Sequence, residues 1–296
     1  MELTSFISYL SLEKNYSPLT VSAYEKDISA FVFFYKENYE TDSIDEVAYT
    51  IIRSWIVSMV DNNTSNRSIN RKIAALKAYY KFLIKIEKIN KNPLAKHKAL
   101  KTEKKIEVPF SEAEMTKMLQ EVTFADDFEG IRDKLMIDLL YTTGMRRAEL
   151  INLKLNNINV SSKTIKVLGK RNKERIIPLL VPTLALLDAY MGKRKELHII
   201  TDKTFLFLCK TGNKIYETLV YRVVNGYFSK VSSKTKKSPH ILRHTFATHL
   251  LNKGADLNSV KELLGHSSLA STQVYTHNSI AELKKVHVSA HPRNKK

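Results

Sequence analysis

A lysine-rich stretch that holds two prolines divides this chain. "NKNPLAKHKALKTEKKIEVPF" contains Pro93 and Pro109, many lysines and no periodic apolar face, so it can continue neither an amphipathic helix nor a half-buried strand. It reads as an extended basic linker over residues 93–109, with one domain before it (1–92) and one after it (110–296). At 296 residues, 43% hydrophobic and 26% charged, the chain has the length and the apolar content for two ordinary cores.

The first domain reads as helices joined by short turns. In "NYSPLTVSAYEKDISAFVFFY", Ser17 is placed to cap a helix and Pro18 to fill its first position. A second helix is expected over Glu46–Val60, around Trp55. In "RSINRKIAALKAYYKFLIKIEK", Ile69, Ile73, Leu76, Tyr80 and Leu83 alternate steps of four and three and so line one helical face. Arg67, Arg71, Lys77, Lys81, Lys85 and Lys88 occupy the rest. Residues 1–63 carry 4 basic and 10 acidic side chains, whereas residues 64–105 carry 13 and 2. With so few acids interleaved, that face is read as contacting phosphates rather than merely as solvated, with Arg67, Arg71, Lys77, Lys81 and Lys85 as the candidate contacts. The overall charge of +18 likewise points to a polyanionic partner, a nucleic acid or an anionic membrane face.

The second domain is mixed. Ser111 and Glu114 form a capping-box pattern that opens a helix in "SEAEMTKML". "RDKLMIDLLYTTGMRRAELINL" is helix, turn and helix about Gly144, and "TIKVLGKRNKERIIPL" is two short strands joined by a basic tip. "TFLFLC" is expected to be a further strand, and the chain from Ser238 onward to be helical. The fold class is therefore mainly α with a small β-sheet in the C-terminal domain (α+β), following an N-terminal helical bundle. The single cysteine, Cys209, excludes an intrachain disulfide and a CxxC metal site. There is no N-terminal apolar leader and no apolar run of membrane-spanning length, so a cytoplasmic protein without a membrane partner is expected.

"HILRHTFATHL" crowds His240, Arg243, His244 and His249 into about three helical turns. His240 and His244 stand four apart, as metal ligands on a helix do, but the glutamate of HExxH is missing and Arg243 between them would repel a dication. The phosphate reading fits better, with His244 and His249 packed beneath the site. "NKGADLNSVKELLGHSSLASTQVYTH" ends one helix at Gly254, caps another with Asp256 and stops it at Gly265, which places His266 just past a helix end.

"TGMRRAEL", "LGKRNKERIIPL", "HILRHTFATHLLNKGADLNSVKELLGH" and "STQVYTH" resemble the catalytic boxes of the tyrosine recombinase (phage-integrase) family, and within it the Xer type. "FISYLSLEKNYSPLTVSAYEKDI" is similar to the first helices of the Xer core-binding (SAM-like) domain, and "VHVSAHPR" to Xer C-termini. The boxes stand in family order, with the H-xx-R, R to H and H to Y intervals at 3, 23 and 9 residues. The resemblance implies Arg146, Lys170, His240, Arg243, His266 and Tyr275 as the active site. Arg147 makes the choice of Arg146 rest on its place directly after "TGM". By the same resemblance Tyr275 would be the nucleophile, Arg146 and Arg243 phosphate clamps, and Lys170 the general acid. His240 and His266 would serve the tyrosine proton and a phosphate oxygen, their division of labour being open. Glu149, three residues from Arg146, is an obvious ion-pair partner.

The implied function is site-specific DNA recombination through a 3′-phosphotyrosyl intermediate and a Holliday junction, with neither cofactor nor metal. Chromosome dimer resolution at a dif-like site is the expected task. The implied partners are double-stranded DNA with paired half-sites, a homo- or hetero-tetramer on two sites, a second Xer-type recombinase and a DNA translocase regulator, in the bacterial cytoplasm at the nucleoid. The alternatives are an integrase or transposase of a mobile element, a non-catalytic DNA-binding relative, and a type IB topoisomerase; no arm-binding domain precedes residue 1, which weighs toward Xer. The tail "SIAELKKVHVSAHPRNKK" has Ile280, Leu283 and Val286 at steps of three, a stripe that needs a receptor. The family suggests a neighbouring protomer in a cyclic array, making this an exchange tail.

Overall fold

The computed structural model describes residues 2–41, 43–103, 107–169, 174–265 and 277–294, with the backbone alone over 277–283. The chain forms two compact units, Met1–Lys105 and Ile106–Lys296.

The first unit is built from α1 (Glu2–Ser8), α2 (Pro18–Tyr39), α3 (Tyr49–Asp61) and α4 (Asn66–Lys85). Ser17 caps α2 by accepting the Thr20 N–H, and Ser65 caps α4 in the same way. The predicted face of α4 is the buried one: Ile69, Ile73, Leu76, Tyr80 and Leu83 all lie in the core, joined by Tyr79 and Phe82. Phe6 meets Tyr79 edge-on at 5.5 Å between centroids. Each such buried side chain contributes roughly 1.5–3 kcal/mol, so packing rather than helix propensity holds α4. The helix expected from Glu46 begins only at Tyr49. The preceding residues are tied down elsewhere, Tyr79 Oη donating to Asp45 (2.6 Å) and Tyr80 Oη to the Ile44 carbonyl (3.0 Å).

The second unit contains α5 (Glu112–Thr116), α6 (Phe128–Thr143), α7 (Arg147–Ile151), β1 (Ile158–Asn159), β2 (Thr164–Leu168), β3 (Glu174–Pro178), α8 (Val181–Lys195), α9 (Glu217–Phe228), α10 (Pro239–Asn252), α11 (Leu257–Leu264) and α12 (His277–Ala290). The Ser111–Glu114 capping box is formed. Its sheet is antiparallel in the order β1-β2-β3, with Ile165 opposite Ile177 and Val167 opposite Arg175. The run expected as a strand at "TFLFLC" is not one: Phe205 and Leu208 make single bridges, to Lys154 and Lys214. Its apolar run reflects burial of Leu206, Phe207 and Leu208, and side chains take its polar groups, Tyr190 Oη donating to the Leu206 carbonyl and accepting from the Leu208 N–H. The third strand is instead the two-residue β1, too short to leave an alternation.

Helix α6 is the spine of this core, packed on α8 and α10. It ends at Gly144, whose φ of +59° favours glycine; a Cβ there would stand 2.4 Å from Phe246 Cδ1 and 2.9 Å from Leu264 Cδ2. Phe110, near the start of this unit, is bolted to α10: its N–H donates to Thr245 Oγ1 (3.0 Å) and its carbonyl accepts from His249 Nε2 (2.9 Å). Its ring stacks on Phe228 at 4.1 Å.

Of the tail stripe, Ile280 and Leu283 lie outside the residues whose side chains are described, and Val286 is half-buried. In this single chain the following residues dock on α6 of their own unit. His287 Nε2 donates to the Thr142 carbonyl (2.6 Å) and His291 Nε2 to that of Tyr141 (3.3 Å). Arg293 Nε donates to the fully buried Asp138 (3.1 Å), whose other oxygen accepts from Thr183 Oγ1 (2.6 Å). Both imidazoles are fully enclosed, and burial pushes their pKa values down, that of His287 to about 4. Among the described residues no helix is long and apolar enough to cross a membrane.

Candidate active site and nucleic-acid face

Arg146 follows the Gly144 turn and caps α7. Its backbone N–H donates to Glu149 Oε2 (2.7 Å) and its Nη1 to Glu149 Oε1 (2.8 Å), while the side chain stays about one-third exposed. The ion pair expected from the i, i+3 spacing is thus present, and it fixes the guanidinium at the surface. Arg147 turns away and pairs with the exposed Glu217, so of the two adjacent arginines only Arg146 joins the cluster described next.

Arg243 lies on α10 one turn after His240. Its Nη1 donates to the Gly144 carbonyl (2.5 Å) and its Nη2 to that of Leu264 (2.7 Å). It therefore binds α10 to the turn before Arg146 and to the end of α11. Burial, and after it the charge of Arg146, lowers its pKa to about 10, which leaves it charged at neutral pH. Beneath both arginines sits a residue that sequence reasoning missed. Arg175 on β3 donates to both Glu149 oxygens (3.0 and 2.7 Å) and, through Nε, to the Leu263 carbonyl (2.9 Å). Burial by itself would raise the Glu149 carboxyl, but hydrogen bonds and charge from Arg175, then Arg146, outweigh it and hold the pKa below its ordinary value. Two arginines, Arg146 and Arg175, thus share the Glu149 carboxylate, and Arg243 is held beside them by the Gly144 and Leu264 carbonyls, an excess of positive charge suited to a phosphodiester.

His240 stands exposed at the second position of α10. His244, expected to pack beneath the site, is exposed as well, because the four-residue step puts it on the same outward face. His249 does lie beneath: its Nε2 donates to the Phe110 carbonyl, so its Nδ1 accepts from Tyr141 Oη (2.9 Å), and burial lowers its pKa. Among the described residues no group of three or more His, Cys, Asp or Glu comes together that could hold a metal ion. Lys170, His266 and Tyr275 lie outside the described residues. β2 and β3 flank the tip that carries Lys170, and α11, capped by Asp256 and closed by Gly265, ends directly before His266.

On the first unit, the basic face of α4 is partly committed. Arg71 and Lys72 pair with the buried Asp27, and Lys85 pairs with Glu13. Lys88 joins Glu2 and Asp45. Among the described residues Arg67, Lys77 and Lys81 form no ion pair, and Arg67 and Lys81 are exposed.

Residues 110–282 match the phage integrase family, and residues 3–87 match the phage integrase N-terminal SAM-like domain. Tyrosine recombinase XerC of Anoxybacillus flavithermus is 38% identical over 294 residues, covering 98% of this chain and 97% of that protein. XerC of Bacillus subtilis is 37% identical over 291 residues, covering 97% and 95%. Among solved structures, XerH recombinase bound to palindromic difH superposes with a TM-score of 0.72 at 23% identity, covering 93% of this chain and 81% of that one. The Tn1549 transposon integrase with transposon right-end DNA gives 0.70 at 22%, covering 96% and 98%. Both share the fold, and together with the two sequence matches and the near full-length relatives they show that the chain belongs to the phage integrase family, that of the tyrosine recombinases.

Proposed function

We propose that this chain is a site-specific recombinase that cuts and rejoins duplex DNA without metal or ATP. The observation that carries the reading is the convergence of Arg146 and Arg243 on one arginine-rich cluster around the Glu149 carboxylate. Arg146 and Arg243 hold the non-bridging oxygens of the scissile phosphate and stabilise the charge that builds there. The Tyr275 oxygen attacks phosphorus, the P–O5′ bond breaks, and Lys170 gives its proton to the leaving 5′ oxygen. The 3′-phosphotyrosyl bond keeps the energy of the phosphodiester, so a 5′-hydroxyl from another strand reverses the step and frees the tyrosine. His240 and His266 serve the tyrosine proton and a phosphate oxygen.

The first unit is the core-binding half, with Arg67, Lys77 and Lys81 the readiest phosphate contacts on α4 and Arg71 and Lys85 becoming available if their carboxylate partners yield. Residues 93–109 link it to the catalytic half, and the tail beyond Tyr275 links protomers. The working assembly is a tetramer on two sites, each of paired half-sites, passing through a Holliday junction. The relatives named XerC favour chromosome dimer resolution at a dif-like site in the bacterial cytoplasm, with a second Xer-type recombinase and a DNA translocase as partners. The fold likeness to a transposon integrase keeps integration of a mobile element as the second reading.

A nicked suicide duplex carrying the chromosomal palindrome, incubated in buffer with EDTA, tests the chemistry. The wild type forms a covalent protein–DNA adduct, and Tyr275→Phe binds the same DNA and forms none. An adduct with Tyr275→Phe, or a requirement for a divalent ion, would refute the proposed mechanism.

A further inference from the structure

Arg175 is absent from the six-residue set, yet among the described residues it is the most enclosed cation beside it. It interrupts the strand "ERIIP", on the inward face that Ile177 continues, with its side chain 3% exposed. An apolar residue would suit the strand as well, and a buried charge is costly unless fully paired. Arg175 is paired in every direction that matters. Glu149 Oε1 accepts from Arg175 Nη1 and Arg146 Nη1, and Oε2 accepts from Arg175 Nη2 and the Arg146 N–H. All four acceptor positions of the carboxylate are in use. Among the described residues no acceptor takes Nε or Nη2 of Arg146, which leaves those donors for a ligand. Room for the Arg175 stem is provided from the other side: Gly265, with φ at +66°, has no side chain where a Cβ would lie 3.0 Å from Arg175 Cδ.

We propose that Arg175 is a positioning residue for DNA cleavage: it holds the Glu149 carboxylate in one orientation against Arg146 and ties that pair, through the Leu263 carbonyl, to the end of α11. The proposal rests on the reading of Arg146 as a phosphate ligand. Three separate stretches of chain meet at this one guanidinium: the α7 cap that carries Arg146, the strand leading from the Lys170 tip, and the helix end leading to His266. A two-pronged bond to the carboxylate matters because a lysine could supply the charge but only a point contact, leaving Glu149 free to swing.

The test uses the full-length chain with Arg175→Lys. Single-turnover cleavage of the suicide duplex at saturating protein falls about 100-fold, the scale of a misplaced transition-state donor, while DNA affinity stays within about threefold, the contact lying below the DNA face. Adding Arg175→Lys to Arg146→Ala slows cleavage no further, because the second change acts only through the first. A readout free of DNA accompanies these: NMR relaxation is expected to show the Nε–H of Arg146 ordered in the wild type and mobile in Arg175→Lys. Should Arg175→Lys fail to fold, Glu149→Asp, which keeps both charges and shortens the bridge, must show the same mobility and the same non-additivity. Multiplicative defects, or an Arg146 side chain as ordered in the variant as in the wild type, would overturn the proposal. A wild-type protein that forms no adduct refutes the recombinase reading instead, and the order of Arg146 still decides the positioning claim.

Discussion

Replacing Gly144 by alanine, beside replacing Gly192 by alanine, isolates the turn that carries Arg146. Gly192 lies inside α8 with open space around its would-be Cβ, so alanine there removes backbone freedom from the unfolded chain and stabilises by roughly 0.5–1 kcal/mol. At Gly144 the same methyl group meets Phe246 Cδ1 at 2.4 Å, Cε1 at 2.8 Å and Leu264 Cδ2 at 2.9 Å, on a backbone at φ +59°. The left-handed conformation costs a non-glycine residue about 1–2 kcal/mol, and moving two packed side chains costs about 1–3 kcal/mol more. A destabilisation of about 2–5 kcal/mol follows. The one tryptophan, Trp55, belongs to the first unit, so its fluorescence serves as an internal reference while far-UV circular dichroism in urea reports both units. Gly144→Ala moves the transition of the second unit to lower urea, leaves the Trp55 transition in place, and Gly192→Ala moves the second unit the opposite way. Shifts of the same sign for the two variants, or a Gly144→Ala effect below about 1 kcal/mol, would show that the turn tolerates a side chain and that the geometry argued for Arg146 is wrong.

Lys170→Ala slows cleavage by about 10²–10⁴, and a 5′-bridging phosphorothiolate, whose sulfur leaves without protonation, recovers most of the rate; equal defects on both substrates would make Lys170 a binding residue only. The docked tail is acid-sensitive. An unfolded imidazole protonates near pH 6.5 and His287 in place only near 4, so its share of stability is complete above about 6.5 and is lost as pH falls toward 4, by up to about 1.4 kcal/mol per pH unit. Second-unit stability measured from pH 7 to 4.5 falls with at least this slope, His287→Gln makes it shallower while His291 and His249 keep their own shares, and an unchanged slope in that variant would refute the assignment. Replacing Ile280 and Leu283 by serine, which leaves His287, His291 and Arg293 in place, keeps single half-site binding but removes cooperative filling of a full site in gel-shift titration; equal losses on both DNAs would mean that the tail acts only within its own chain.

What could be read in advance was local in sequence. The buried face of α4 and the caps at Ser17, Ser111 and Asp256 each rest on residues within a turn or two of one another, where helical spacing leaves a direct imprint. The Arg146–Glu149 pair is of the same kind. Arg175 was missed because its meaning depends on a carboxylate 26 residues earlier and a carbonyl 88 residues later. No short-range pattern distinguishes it from the basic residues of the hairpin tip. The misread strand at "TFLFLC" has a related cause: burial of three consecutive side chains looks the same whether a neighbouring strand or a tyrosine hydroxyl takes the backbone groups. His244 departs from expectation for a simpler reason: adjacency to a site in sequence does not imply burial beneath it, and a four-residue step keeps it on the outward face of His240. The late start of α3 was set by Tyr79 and Tyr80, more than thirty residues away.

The attachment of Phe110 to α10, together with the seat of Arg293 on Asp138, has a consequence for how the chain is made. Near its start the second unit is held through Phe110 by Thr245 and His249, and its central helix is completed by His287, His291 and Arg293. During synthesis at about 5–20 residues per second, the interval between residues 110 and 293 is about 10–40 s. The first unit, whose contacts close within its own hundred residues, folds during that interval. Helix α6 meanwhile waits with its apolar surface and the Asp138 carboxylate uncovered, so a chain halted within the second unit, after α6 and short of residue 293, presents a finished first unit followed by an unsealed core. Premature stops in the second unit are therefore expected to yield insoluble protein rather than a shortened enzyme.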